Sequence, residues 1–227
     1  MNIQAKIHDM PISNSTWDIL VKANSVAVRN GWAAPGVFGT GIGPNYRSDG
    51  ILWVGKSAGP LGSLVGSNHS QAESAAASTA WMVQRQNRRS AFWQMAEQLD
   101  STRQSLAWTN IAKMDRVGGG VPPKTNEWAT IASACTSALI EEIEFLKPGL
   151  IVFATSGIYP DAVSRVLRHF GFKHRPIEFE DGWTRLHEND RCHLITTKHP
   201  QGWSTGARNC VVDLAKQLHS VTAICLN

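Results

Sequence analysis

EEIEFLKPGLIVFATSG, residues 141–157, decides the fold. Its apolar run LIVFAT at 150–155 is bounded by Pro-Gly on one side and Ser-Gly on the other. A short, unbroken apolar run with such punctuation marks a strand buried on both faces. Helices are expected on either side, at 126–146 with Thr125 or Asn126 as its cap, and at 159–170. Strands that alternate with helices pair in parallel, because the chain must cross over before it can run the same way again.

The same pattern extends outward in both directions. ILWVG at 51–55, LAWT at 106–109 and HLITT at 193–197 read as three further strands. Helices are expected at 14–30, capped by Asn14 or Ser15, through most of 69–100, and at 206–219. Residues 31–50 are rich in Gly and Pro and read as an ordered surface loop; KMDRVGGGVPPKT at 113–125 is irregular. A weaker strand or hairpin is expected around 175–187. The architecture implied is a three-layer α/β/α sandwich with a short, mainly parallel four-stranded sheet. It forms one domain over residues 1–227, capped by the helix and loop of residues 1–50.

Composition fits a globular chain of this class. The 227 residues are 42% hydrophobic and 18% charged, with a net charge of +4. The positive balance is compatible with a polyanionic partner. Cys135, Cys192, Cys210 and Cys225 show no CxxC spacing, which argues against a zinc ribbon and for reduced core thiols of a cytoplasmic protein. MNIQAKIHDM lacks the apolar core of a signal peptide, and no run approaches the roughly 18 apolar residues of a membrane span.

In this sheet the strand ends carry GKSAG, TNIAK, TSG and HPQGWS. Ligands of open α/β sheets bind beyond the carboxyl ends of the strands, so these side chains define the candidate site. Asn110 offers a donor and an acceptor to a base edge, and His199 offers a hydrogen bond to a developing anion. A serine hydrolase is disfavoured, since neither Ser57 nor Ser156 lies in a GxSxG elbow. There is no HExxH or carboxylate cluster for a metal, and GGGVPPK lacks the first Gly and the Ser/Thr of a phosphate loop. No metal or organic cofactor is expected.

Four islands in order, ILWVGKSAG, LAWTNIAK, EEIEFLKPGLIVFATSG and HLITTKHPQGWS, resemble the uracil-DNA glycosylase superfamily from Ile51 to Leu218. The resemblance implies that a nucleotide is flipped into a pocket and its N-glycosidic bond broken. It gives His199 the base oxygen that becomes anionic and Asn110 the base edge. Ser57 falls at the water-positioning site, and Gly55, Lys56, Ala58, Gly59 and Leu64 line the base pocket. Lys113 contacts phosphate or packs its loop. Ser156, Gly157, Lys198, Ser204 and Arg208 are expected on phosphates. The loop Pro200, Gln201 and Trp203 enters the minor groove, with Trp203 as the apolar tip that fills the gap. Arg85, Arg88 and Arg89 read as a solvated helix face.

The first island departs from the family. Its best-known branch has Gly-Gln-Asp-Pro-Tyr, where the Asp positions the attacking water; here the stretch is Gly55-Lys56-Ser57-Ala58-Gly59. Gly59 also replaces the Tyr that blocks 5-substituted pyrimidines, and Leu64 stands near a base-stacking Phe. These changes point to a damaged or modified base, such as a hypermodified cytosine of phage DNA, excised in antiviral defence. Repair of uracil or mismatched thymine is the alternative, and a catalytically inactive DNA-binding protein of the same fold is another. The expected enzyme is monofunctional and monomeric, with DNA as its partner, no membrane association and no obligate protein partner.

Overall fold

The structure is a computed structural model that describes residues 10–57, 70–86, 89–118, 122–177, 179 and 181–225. In chain order its elements are α1 (Asn14–Arg29), β1 (Gly41–Ile42), β2 (Ile51–Ser57), α2 (Gln71–Val83), α3 (Ala91–Leu99) and β3 (Leu106–Ala112). There follow α4 (Thr125–Leu146), β4 (Leu150–Ala154), α5 (Pro160–His169), β5 (Lys173–Arg175), β6 (Arg185–Glu188), β7 (His193–Thr197) and α6 (Thr205–Cys225).

The four apolar runs become the middle of the sheet. β2 pairs in parallel with β3 and β4, and β4 with β7. Every residue of β3 and β4 is buried, as strands covered by helices on both faces require. The sheet nevertheless has seven strands, in the order β1-β3-β2-β4-β7-β6-β5, rather than the four expected. The three additions are antiparallel edges: β1 on β3, β6 on β7 and β5 on β6. β5 and β6 are the hairpin expected around 175–187, whereas β1 escapes sequence reading because it is so short. β1 has two residues, β5 is exposed throughout, and β6 buries only Leu186.

Apolar side chains pack on both sheet faces, giving three layers. One core joins Leu52, Val54, Ile111 and Phe153 to Leu20 of α1, Leu139 of α4 and Val166 of α5. The other joins Trp53, Trp108, Val152 and Ile195 to Met82 of α2, Trp93 of α3 and Val212 of α6. Side chains alternate along each strand, so neighbouring residues feed opposite cores.

Local chemistry sets the boundaries. α1 is capped by Ser13, whose hydroxyl accepts from the Thr16 N–H at 3.3 Å, one residue earlier than expected. α2 opens with a Ser70–Glu73 capping box. The stretch expected to be mostly helical holds two helices, α2 and α3, and the chain turns at Arg85, which has φ +56°. α4 begins at Thr125, where the Lys124 N–H donates to the Glu127 carboxylate at 2.6 Å, and ends at Lys147 in the left-handed region ahead of Pro148. Cys135 and Cys192 are buried, but Cys210 is exposed, which corrects its placement in the core. No helix of the described residues is long and apolar enough to cross a membrane.

Candidate functional site

β3 runs on past Thr109 to Ala112, so Asn110 lies inside the strand and not beyond its end. Its partner across the β2–β3 ladder is Gly55. Asn110 is 2% exposed, and its Nδ2 has no hydrogen-bond partner among the described residues. A buried donor without a partner is uncommon and costly, so it calls for an explanation. The side chain lies over Gly55, where a Cβ would stand 2.3 Å from the Asn110 Oδ1 and 3.4 Å from the Phe92 ring. Glycine is required here for close approach, not for turn geometry.

Phe92 links this end of the site to the other. Its ring lies nearly parallel to the His199 imidazole, with an interplanar angle of 10° and centroids 5.9 Å apart. Gly55, Asn110, Phe92 and His199 therefore form one contiguous row, assembled from β2, β3, α3 and the loop after β7. Phe92 carries no motif, and sequence reading passes over it.

One hydrogen bond holds the His199 backbone and a second reaches its ring. The His199 N–H donates to the Ser156 Oγ at 2.6 Å. The Gln201 N–H points to the His199 Nδ1 at 3.4 Å. With Nδ1 as acceptor, a neutral ring carries its proton on Nε2. Burial first, and the positive charge of Lys56 second, push the His199 pKa down to about 4. Near neutral pH the ring is thus uncharged and can donate through Nε2. Burial also lowers the pKa of Lys56. Ser57 is half-buried at the end of β2, two residues past Gly55 and so on the same sheet face.

His199 opens into a cleft of about 530 Å³ lined also by Arg89, Ser90, Pro200, Trp203 and Arg208. Arg208 reaches the Gln94 Oε1 and the Thr205 Oγ1, each at 3.3 Å, while its Nε has no partner among the described residues. Two guanidinium groups beside the N-terminus of α6 make this cleft suited to an anion. Arg89 belongs to the group read as a solvated face. Arg85 has a structural role instead, bridging Glu97 at 2.9 Å.

Several expected contacts are placed otherwise. Lys113 is fully buried, with its Nζ 2.5 Å from the Glu142 carboxylate, so it packs its loop and touches no phosphate. Trp203 is half-buried, packed in part against the core under α6 while it also lines the cleft beside His199. The Ser204 hydroxyl accepts from the Ala207 N–H at 3.2 Å and caps α6. Pro200 is buried, and its carbonyl accepts from the Trp203 N–H, so it shapes the loop. Ser156, at φ +58°, holds the His199 backbone, and Gly157 continues the same turn at φ +66°. Ala58, Gly59 and Leu64 lie outside the described residues. A larger hollow of about 940 Å³ lies at the opposite sheet edge, between Ile143, Phe170, Phe172 and His193, away from all these groups.

No family model matches the chain, and no curated protein matches it significantly.

Proposed function

We propose that the protein is a monofunctional DNA glycosylase that hydrolyses the N-glycosidic bond of a flipped-out base and leaves an abasic site. The observation that carries this reading is the pairing of an unpartnered, buried Asn110 amide with a His199 imidazole held neutral as a hydrogen-bond donor. In the reaction the bond from C1′ to the base nitrogen breaks, and its electron pair leaves with the base. Asn110 pairs with the base edge. His199 donates its Nε2–H to the base oxygen that gains negative charge, a contact that strengthens as the bond breaks. Water adds to the cationic sugar carbon and releases a proton to solvent, held on its approach by Ser57. Arg89 and Arg208 grip flanking phosphates. The protein acts as a monomer on DNA alone.

The proposed base carries a 5-substituent, a reading that rests on Gly59 in the sequence. A hypermodified cytosine of phage DNA fits it, and the role is then antiviral defence; repair of uracil or mismatched thymine is the narrower version. The absence of a carboxylate from Gly55 to Gly59 favours a second reading, a DNA-binding protein that has lost the chemistry.

The deciding experiment incubates the protein with DNA containing uracil, a T·G mismatch, 5-hydroxymethylcytosine or glucosylated phage cytosine, and scores abasic sites by alkaline cleavage. Product on one substrate, lost in His199→Ala and Asn110→Ala, supports the glycosylase and names its base. Tight, salt-sensitive binding with no product on any substrate supports the binder.

A further inference from the structure

Among the described residues, the large aromatic ring most exposed at this sheet edge is Trp183, 55% exposed, whereas Trp203 is half-buried. Trp183 stands in the turn that leads into β6. Because β6 runs antiparallel to β7, with Arg185 opposite Thr196, that turn comes to rest beside Lys198 and therefore next to His199. The turn is held firmly. The Asp181 carboxylate accepts from the N–H groups of Trp183 at 2.8 Å and Thr184 at 2.9 Å, and from the Thr184 hydroxyl at 2.6 Å. The Thr184 and Thr197 hydroxyls, 2.9 Å apart, tie it to β7.

The Lys198 ammonium lies 4.7 Å from the centre of the Trp183 ring. An indole with a cation against it, and over half its surface open, matches what an unpaired base needs: a π-face to stack on and a charge for the neighbouring phosphate. We propose that Trp183 and Lys198 form a stacking platform for an unpaired base of the DNA strand beside the reacting nucleotide. This rests on the reading of the cleft as a DNA site. The sequence that leads to the ring, IEFEDGW, is acidic, and Asp181 is taken up by the turn, so the contact draws on stacking more than on charge. Every base has a π-face, so the platform is indifferent to sequence.

The test uses the full-length protein and a single-stranded oligonucleotide bearing 2-aminopurine, whose emission is quenched when it stacks. Wild type is expected to bind with quenching. Trp183→Ala is expected to lose the quenching and to bind roughly tenfold more weakly, with an unchanged salt slope, while Trp183→Phe recovers part of both. Lys198→Gln is expected to lower the salt slope. Equal affinity and quenching in wild type and Trp183→Ala, with binding lost in Arg89→Ala, overturns the platform and leaves the cleft's role intact. No oligonucleotide binding by wild type at low salt overturns the platform and the DNA reading together.

Discussion

A methyl group at position 55 has nowhere to go. It would meet the Asn110 Oδ1 and press on Phe92, the two groups that make up half of the candidate site. Gly55→Ala is expected to cost about 1–3 kcal/mol in urea unfolding, as overpacking does, and to cut base release more than it weakens DNA binding. Unchanged base release by the Gly55→Ala variant would mean that Asn110 has no part in the proposed reaction. His199 gives a prediction in pH. Its folded pKa of about 4 lies below the ordinary 6.5, so between these values the unfolded chain binds more protons than the folded one. Its contribution to stability is therefore complete above about pH 6.5 and is lost as the pH falls through about 4. An NMR titration of the ring should show its midpoint near 4, with base release unaffected by this group across neutral pH. A midpoint at or above 6.5 would sink the neutral-donor mechanism.

Between elements, charged side chains do structural work that their sequence context hides. Lys113 on the β3 end and Glu142 on α4 form a fully buried pair, and Thr109 and Thr40 also bond the Glu142 carboxylate. Removing one member of such a pair strands the other charge. Lys113→Met is expected to lose about 3–5 kcal/mol of stability in urea unfolding, and the double variant Lys113→Met with Glu142→Leu to recover most of it. DNA affinity of the folded double variant should equal wild type, since Lys113 has no exposed surface. A weakened, less salt-dependent affinity would restore Lys113 to the DNA interface. Arg103 plays a comparable part between helices. Its guanidinium lies 4.1 Å from the Trp93 ring centre, bonds Glu97 of α3 at 2.9 Å and reaches the Met82 carbonyl of α2.

Across the whole molecule the net charge of +4 matters less than where its positive groups stand. Arg89, ahead of α3, and Arg208, in α6, converge on one cleft from two elements of the same sheet face. If each neutralises one phosphate, Arg89→Ala and Arg208→Ala should each reduce the slope of log affinity against log salt by about 0.9. Fluorescence anisotropy over a salt series measures this, and an unchanged slope in both variants removes the cleft as a phosphate site.

What the sequence by itself determined was local. Ile51–Val54 and Leu150–Ala154 are unbroken apolar runs with turn residues beside them, and His193–Thr197 is a β-branched stretch ahead of a Lys-His-Pro turn, so their pattern needs no partner to be read. Seating His199 just past a strand follows from the same punctuation, as does the hairpin between Lys173 and Glu188. Tertiary structure alone decided the rest, because each outcome depends on a neighbour distant in the chain. The ladder register set Asn110 against Gly55, and the packing of α3 laid Phe92 along His199. β1 exists only because β3 offers it free hydrogen-bonding groups, and the hairpin joins the sheet only because β7 does the same for β6. Nothing near Trp183 or Trp203 in sequence distinguishes a surface indole from a half-buried one; the core beneath α6 took up part of Trp203 and left Trp183 mostly in solvent.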